Sequence, residues 1–399
     1  MAPAGCHSLG VVALRPYMGW NTYYGIGGVF NERTIMSVAH ALCDRGLAYA
    51  GYRTVWLDYG WASGARDAQG ELVIDDRQWP QGLAWLNDQL HAMDLLAGIY
   101  TDAGPSGCEG QGVGSLGHYQ QDADRFAAWG FDAVKIDFCG GGQQRLDPRP
   151  AYRDFIHAVR NNASRRRMLV NVCNFWRPGQ LGDDYPPVER SAYATHEWAS
   201  PIADSWRTDT DVGFVRDVVF ENVLRNLDTN ACHPESAGPG HWSDPDYLAP
   251  ELGMSHSEAQ AQLTMWAIAA APLVIGSDVR ALSPQTVAML SNPEVIAVDQ
   301  DPLGVQGTCV RRDADGEAWV KPLVGGGSAV ALLNRGTCRQ RVGVTASEIG
   351  LASAGALTVR DLWTSRTTTE TDALSAEVPA HSATLFCITA AARPGYGGR

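Results

Sequence analysis

The residues best able to do chemistry in this sequence are aspartates, and they recur at the ends of short apolar runs. Asp58 closes YRTVWLD, Asp102 closes LLAGIYTD and Asp137 sits in AVKIDF. Asp211 follows in SWRTDTDV, Asp244 and Asp246 in HWSDPDYL, and Asp278 in APLVIGSD. Asn174 takes the same place after MLVNVC. Any one of these acids could simply cap the helix that follows it. A whole series of them points instead to one shared pocket. The sharpest case is VKIDFC. Strand side chains alternate, so Lys135 and Asp137 share a face. A cation there favours the ionised carboxylate that a nucleophile needs, with a structural ion pair as the competing reading. Asp211 lies four residues after Arg207 and has Asp209 as a local rival. Two carboxyl groups about 5–5.5 Å apart can cleave a glycosidic bond with retention. One attacks the anomeric carbon; the other protonates the leaving oxygen and then activates water. Trp20, Trp61, Tyr100 and Trp206 fall near the same run ends and could wall a sugar ring, although each alone suits ordinary packing.

The elements that would position these groups alternate along the chain. Candidate strands begin at Tyr17, Tyr52, Leu95, Ala133, Met168, Ser205, His241 and Ala271. Amphipathic segments lie between them, such as NERTIMSVAHALCDRG from Asn31 and HYQQDADRFAAWG from His118. This alternation predicts an α/β fold, a (β/α)8 TIM barrel over residues 1–302, whose C-terminal strand ends converge on one face. A doubly wound open sheet would need a glycine-rich nucleotide turn, and GWNTYYGIGG does not supply one. The stretch LTMWAIAAAPLVIG from Leu263 reads as a buried helix running into a buried strand. Gly140 to Gly142 read as a flexible loop, not a phosphate cradle. After a linker at PLGVQG the texture changes. A hairpin around Gly325 to Gly327, then LTVRDLW and HSATLFCIT, predict a C-terminal antiparallel β-sandwich domain over 303–399.

Composition narrows the field. Of 399 residues, 45% are hydrophobic and 19% charged, which suits a globular protein with a sizeable core. The net charge of −13 argues against nucleic acid or anionic lipid as partner. No apolar run is long enough to span a membrane. Nine cysteines without dense spacing do not make a disulfide scaffold, and no CxxC or HExxH motif suggests a metal. No cofactor is expected. The first residues, MAPAGCHSLGVVALRP, lack the basic region of a secretion signal, so a cytoplasmic location is expected. Oligomeric state is not legible.

The ordered motifs GWN, LDYGW, GIYTDAGPSGC, AVKIDFC, SWRTDTDV, GHWSDPDYL and EVIAVDQDPLG together resemble the α-galactosidase (melibiase) group, glycoside hydrolase family 27. The resemblance covers nearly the whole chain. It implies a barrel followed by a β domain and, without cofactor, a retaining exo-α-glycosidase that removes terminal α-galactoside-like residues from a carbohydrate substrate by double displacement. It makes Asp137, in KxDxC, the nucleophile. Asp211, in WRxxxD, becomes the acid/base in preference to Asp209, and Arg207 joins the sugar site. It matches Trp20, Asp58, Tyr100 and Asp246 to sugar-contacting positions, and Cys108 with Cys139 to a disulfide pair. It also exposes departures. Tyr59 stands where the family's galactosidases carry a second carboxylate for axial O4, and Asn174 where they carry Glu near O2. Ala203 replaces the usual partner of Cys173. The departures leave open a retaining enzyme for another sugar (an α-glucoside, a modified sugar or a pentopyranoside), a transglycosylase, or a non-catalytic sugar-binding descendant.

Overall fold

The computed structural model describes residues 13–108, 112–174, 192, 194–213, 217–351 and 355–391. Eight strands lead the architecture: β1 (Met18–Asn21), β2 (Thr54–Leu57), β3 (Leu96–Asp102), β4 (Ala133–Asp137), β5 (Leu169–Cys173), β6 (Ser205–Arg207), β7 (Trp242–Asp244) and β8 (Leu273–Ile275). All neighbours run parallel, in the order β7-β6-β5-β4-β3-β2-β1-β8. The ring closes just beyond β7. Leu248 bridges Ile275, with Leu248 N donating to Val274 O at 2.8 Å and Gly276 N to Leu248 O at 2.7 Å. The eight strands are those expected, and the fold is a TIM barrel followed by a β-sandwich.

Helices fill the connections: α1 (Glu32–Asp44), α2 (Leu47–Ala50), α3 (Leu83–Ala92), α4 (Tyr119–Ala128), α5 (Cys139–Gln143), α6 (Pro148–Arg160), α7 (Thr195–Ala199), α8 (Phe220–Asn230), α9 (His256–Ala269), α10 (Pro284–Leu290) and α11 (Pro293–Asp299). Their starts carry the chemistry that begins a helix. Asn31 caps α1 by accepting from Thr34 N at 3.0 Å, a contribution of about 1 kcal/mol. Ser255 and Glu258 form a capping box on α9. The helix α9 is buried on nearly every side, because the barrel covers one face and the sandwich another. That position accounts for the apolar run at Leu263.

Gly140 to Gly142 depart from expectation. They lie inside α5, not in a flexible loop. Their value is close approach: a Cβ on Gly140 would stand 2.2 Å from Ser106 O, and one on Gly141 2.3 Å from the Phe138 ring.

The C-terminal strands are β9 (Thr308–Asp313), β10 (Gly316–Pro322), β11 (Ser328–Asn334), β12 (Gln340–Thr345), β13 (Leu357–Asp361), β14 (Thr367–Glu370), β15 (Ala373–Val378) and β16 (Ser382–Ala390). Six form an antiparallel sheet, β14-β13-β16-β11-β10-β9, and β12 pairs with β15. The β10–β11 turn uses Gly325 and Gly326 at positive φ. One face of the larger sheet shares the barrel's hydrophobic core through Trp319, Leu333 and Leu385. The other closes a second core with Val342, Val344 and Leu374. Lys321 Nζ donates to Ala267 O at 3.0 Å, and His381 pairs with Glu258 at 2.9 Å. These contacts fix the sandwich to α9.

Candidate active site

Alternation decides which side chains enter the barrel. On β4, Lys135 and Asp137 point inward; just after β2, Asp58; on β3, Tyr100 and Asp102; on β6, Arg207. A polar layer lies beneath the mouth. Asn171 Nδ2 donates to Asp244 Oδ2 at 3.0 Å and to Ser205 Oγ at 2.8 Å. Asp244 is therefore a structural acid of the barrel interior. Asp278 likewise pairs with Arg280 at 2.7 Å and serves its own loop.

Above that layer the mouth holds two charge clusters. In the first, Lys135 Nζ lies 2.8 Å from Asp58 Oδ2. Asn21 Nδ2 donates to the same oxygen at 2.7 Å, and Tyr247 OH at 3.3 Å. Burial pushes the Asp58 carboxyl up, but Lys135 and these donors outweigh it and hold it below the ordinary range. The direct partner of Lys135 is therefore Asp58, while Asp137 feels its charge at longer range.

In the second cluster, the guanidinium of Arg207 is 1% exposed and reaches two acids, Asp211 Oδ1 and Asp246 Oδ1, each at 3.0 Å. The Asp246 approach has the distance of an ion pair without hydrogen-bond alignment. Asp246 Oδ2 accepts from Val212 N at 2.7 Å and from the Tyr24 hydroxyl. Its backbone adopts φ 92°, which a non-glycine residue accepts only under constraint. Burial pushes its carboxyl up to about 6, against the pull of Arg207.

Asp137 ends β4 in register with Asp102 on β3 and Cys173 on β5. It is 4% exposed; Phe138 N donates to its Oδ1 at 2.9 Å. Cys108 Sγ stands 3.4 Å from its Oδ2. That sulfur is bonded to Cys139, so it is a contact and not a proton donor. The pairing of Cys108 with Cys139 is the one expected, and Cys173 is a free, buried thiol. Burial raises the Asp137 carboxyl to about 6; Lys135 opposes the rise while Asp58 and Asp211 add to it. Burial and then Asp137 raise the Asp102 carboxyl to about 8, against its backbone donors. Gly104 N and Gly140 N bind Asp102 at 2.6 and 3.3 Å, which ties it to the backbone behind the nucleophile strand.

Asp209 and Asp211 separate by environment. Asp209 is 1% exposed and accepts from Thr210 N at 2.7 Å and from the Thr229 hydroxyl. It anchors its loop. The side chain of Asp211 is 31% exposed and opens on the mouth.

Other expected positions need correction. Trp20 does not line the pocket: it is fully buried and its indole donates to Ser277 O at 2.8 Å. Asn21, one residue on, takes the inward face. Trp206 also faces outward, stacked on His241 with centroids 6.4 Å apart. Trp61 stands behind the site, donating to Tyr100 O at 2.8 Å. Asn174 gives its amide to Thr195 Oγ1 at 3.0 Å and Ala192 O at 3.3 Å, which leaves its buried Oδ1 without a partner among the described residues. Tyr59 donates its N–H to Asp58 Oδ1 at 2.9 Å, and its ring meets Tyr100 edge to face. Besides Asn21, two residues that the sequence does not single out stand at the site. Tyr23 is half-buried, and its hydroxyl is raised by burial and then by Asp211 and Asp58. The Tyr247 ring lies 5.2 Å from Lys135 Nζ and 5.9 Å from the Arg207 guanidinium. Counting parity from Asn21 in YMGWNTY would have found Tyr23.

Among the described residues, the His, Cys, Asp or Glu group with ligand atoms within 4.8 Å of one another is Cys108, Asp137 and Cys139. Its sulfurs are joined to each other and offer no thiolate. No helix of the described residues is long and apolar enough to cross a membrane.

Acids of contrasting burial, gathered with a lysine and an arginine at the mouth of such a barrel, define a glycoside hydrolase. Comparison with known proteins narrows that class. Residues 27–301 match the family model described as alpha galactosidase A, and 313–388 the alpha galactosidase C-terminal beta sandwich domain. An alpha-galactosidase of Oryza sativa subsp. japonica is 36% identical, over 94% of this chain and 84% of its own length. Alpha-galactosidase I from Mortierella vinacea superposes with a TM-score of 0.83 at 28% identity, covering 97% of this chain and 100% of that one. An alpha-galactosidase from Saccharomyces cerevisiae solved with raffinose gives 0.82 at 26% identity, over 95% and 98% of the two chains. The chain belongs to the α-galactosidase group, glycoside hydrolase family 27.

Proposed function

We propose that the protein is a retaining α-galactosidase, with Asp137 as nucleophile and Asp211 as acid/base. The observation that carries this reading is the contrast between the two acids. Asp137 is enclosed at the end of β4, where water is excluded. Asp211 opens on the mouth, where a leaving group departs and water arrives. In the first step the Asp137 carboxylate attacks the anomeric carbon. The glycosidic C–O bond breaks, and the leaving oxygen takes the proton of Asp211. In the second, Asp211 removes a proton from water, whose oxygen attacks the same carbon and displaces Asp137. Two inversions give net retention. Lys135, Asp58, Tyr247, Tyr100, Asp246 and Arg207 hold the sugar's hydroxyl edge. The galactoside itself is supported by what the relatives are named for.

Tyr59 favours a second reading, the same mechanism on a different sugar, because a phenol replaces a charge-assisted hydrogen bond at that edge. The test is a series of 2-deoxy-2-fluoro aryl glycosides followed by peptide mass spectrometry. Labelling of Asp137 by the galactoside is expected. Labelling of another residue would overturn the mechanism, and labelling only by a glucoside or pentopyranoside would favour the second reading.

A further inference from the structure

The end of the barrel away from the active site carries a cleft that catalysis does not use. It is half-open, encloses about 630 Å³ and lies where α6 ends and the chain approaches β5, β6 and β7. Sites for small molecules span about 300–1,000 Å³. Its charge is at odds with the rest of the molecule. The chain carries a net −13, yet Arg160, Arg165, Arg166 and Arg167 all line the cleft, with Asp204 as the acid among the described lining residues. That acid is already engaged. Asp204 is 7% exposed, and its Oδ2 accepts from Arg160 Nη2 and from Val170 N, each at 2.7 Å. Arg160 Nη1 also donates to Met168 O at 2.8 Å. Arg166 is tied down likewise, Nε donating to Phe131 O at 2.8 Å and Nη2 to Asp132 Oδ1 at 2.5 Å. Arg165 and Arg167 stand exposed on the same loop.

The loop that carries them is held in shape from within. Asn162 is 2% exposed; its Nδ2 donates to Val159 O at 2.8 Å and to Arg166 O at 2.7 Å, and its Oδ1 accepts from Arg166 N at 3.0 Å. Arg165 N donates to Asn162 O at 2.9 Å, and Arg165 takes φ 54°, a left-handed conformation that a side chain accepts only under constraint. The backbone thus holds like charges together at a cost in repulsion, and a bound anion would relieve it. We propose that this cleft binds a phosphate-bearing small molecule, with Arg165 and Arg167 meeting the phosphate. A guanidinium presents a planar fork of N–H donors that matches two oxygens of a phosphate, whose charge near neutral pH is about −1.5 to −2. A recessed cleft of this volume encloses a small molecule, whereas a nucleic acid or a membrane calls for an extended basic face. The inference stands apart from the galactosidase reading, because cleft and active site lie at opposite ends of the barrel.

The experiment is isothermal titration calorimetry of the full-length protein with inorganic pyrophosphate, at about 0.15 M salt. Saturable binding with a Kd below about 1 mM is expected. Arg165→Ala combined with Arg167→Ala should weaken it at least about tenfold, while Arg341→Ala, at an exposed arginine on β12 of the sandwich, should change it by less than about twofold. Thermal unfolding of the double variant and its rate on an aryl galactoside should match those of the parent, since both arginines are exposed and distant from the mouth. Absence of saturable binding, or equal binding by the double variant, would overturn the site. Binding to heparin or to anionic phospholipid vesicles without binding to pyrophosphate would overturn the small-molecule reading as well.

Discussion

At the residue scale, the site divides its carboxylates by what surrounds each. Asp58 is held ionised by Lys135 and its hydrogen bonds, whereas Asp137 is pushed up to about 6 by burial. A protonated Asp137 cannot attack, so activity is gained as pH rises through that value and lost as it falls. The expected kcat/KM profile on an aryl galactoside has an acid limb near pH 6. A profile flat down to pH 4 would show that burial does not raise the Asp137 carboxyl in this way. Burial and Asp137 raise the Asp102 carboxyl as well, against the backbone donors that hold it.

At the element scale, the β6–α8 loop depends on an acid that does no chemistry. Asp209 holds Thr210 N and the Thr229 hydroxyl, while Asp211 on the same loop faces the mouth. Asp209→Ala is expected to cost about 1–3 kcal/mol of stability, measured by urea unfolding, because buried donors lose their acceptor. Its kcat should fall by less than that of Asp211→Ala. Azide, which can attack the glycosyl-enzyme without a general base, should accelerate only Asp211→Ala on an activated aryl glycoside. Rescue of Asp209→Ala instead would exchange their roles. The strand–helix alternation and the acids at strand ends were legible in the sequence, because periodicity and position are local properties. Face was less so. Strands of three to five residues, such as β1 and β6, give too little pattern to say which side is in. So short a pattern puts Trp20 and Trp206 inside as readily as outside and does not single out Asn21 or Tyr23. The partner of Lys135 was not legible either, since Asp58 lies on a different strand. Gly140 to Gly142 read as a loop because the approach of Ser106 that demands glycine comes from a distant segment.

At the scale of the whole molecule, barrel and sandwich share a core, and two buried ionisable groups lie near their boundary. Asp299, at the end of α11, and Lys321, on β10, are both fully buried. Burial raises the Asp299 carboxyl and lowers the Lys321 ammonium, each to about 8, and their mutual attraction opposes both shifts. Lys321→Met leaves the buried Ala267 O without its donor and is expected to destabilise the protein by about 1–3 kcal/mol. If Asp299 and Lys321 influence each other, Asp299→Asn with Lys321→Met should cost less than the sum of the two single losses. Urea unfolding checks both. A double variant whose loss equals the sum of the two single losses would show that the two groups act independently.

The barrel ring is completed not by β7 itself but by Leu248, beyond the left-handed turn at Asp246. The gap and the carboxylate have one origin: the chain leaves the ladder at Pro245, swings inward to present Asp246 to Arg207, and returns. A sugar bound to Asp246 and Arg207 would thus span the place where the cylinder lacks rungs. Occupancy would act as a clasp, slowing the breathing of the wall on which it rests. In its absence side chains hold that stretch of wall, Trp266 Nε1 donating to Asp246 O at 2.7 Å and Asn226 Nδ2 to Pro245 O at 3.0 Å.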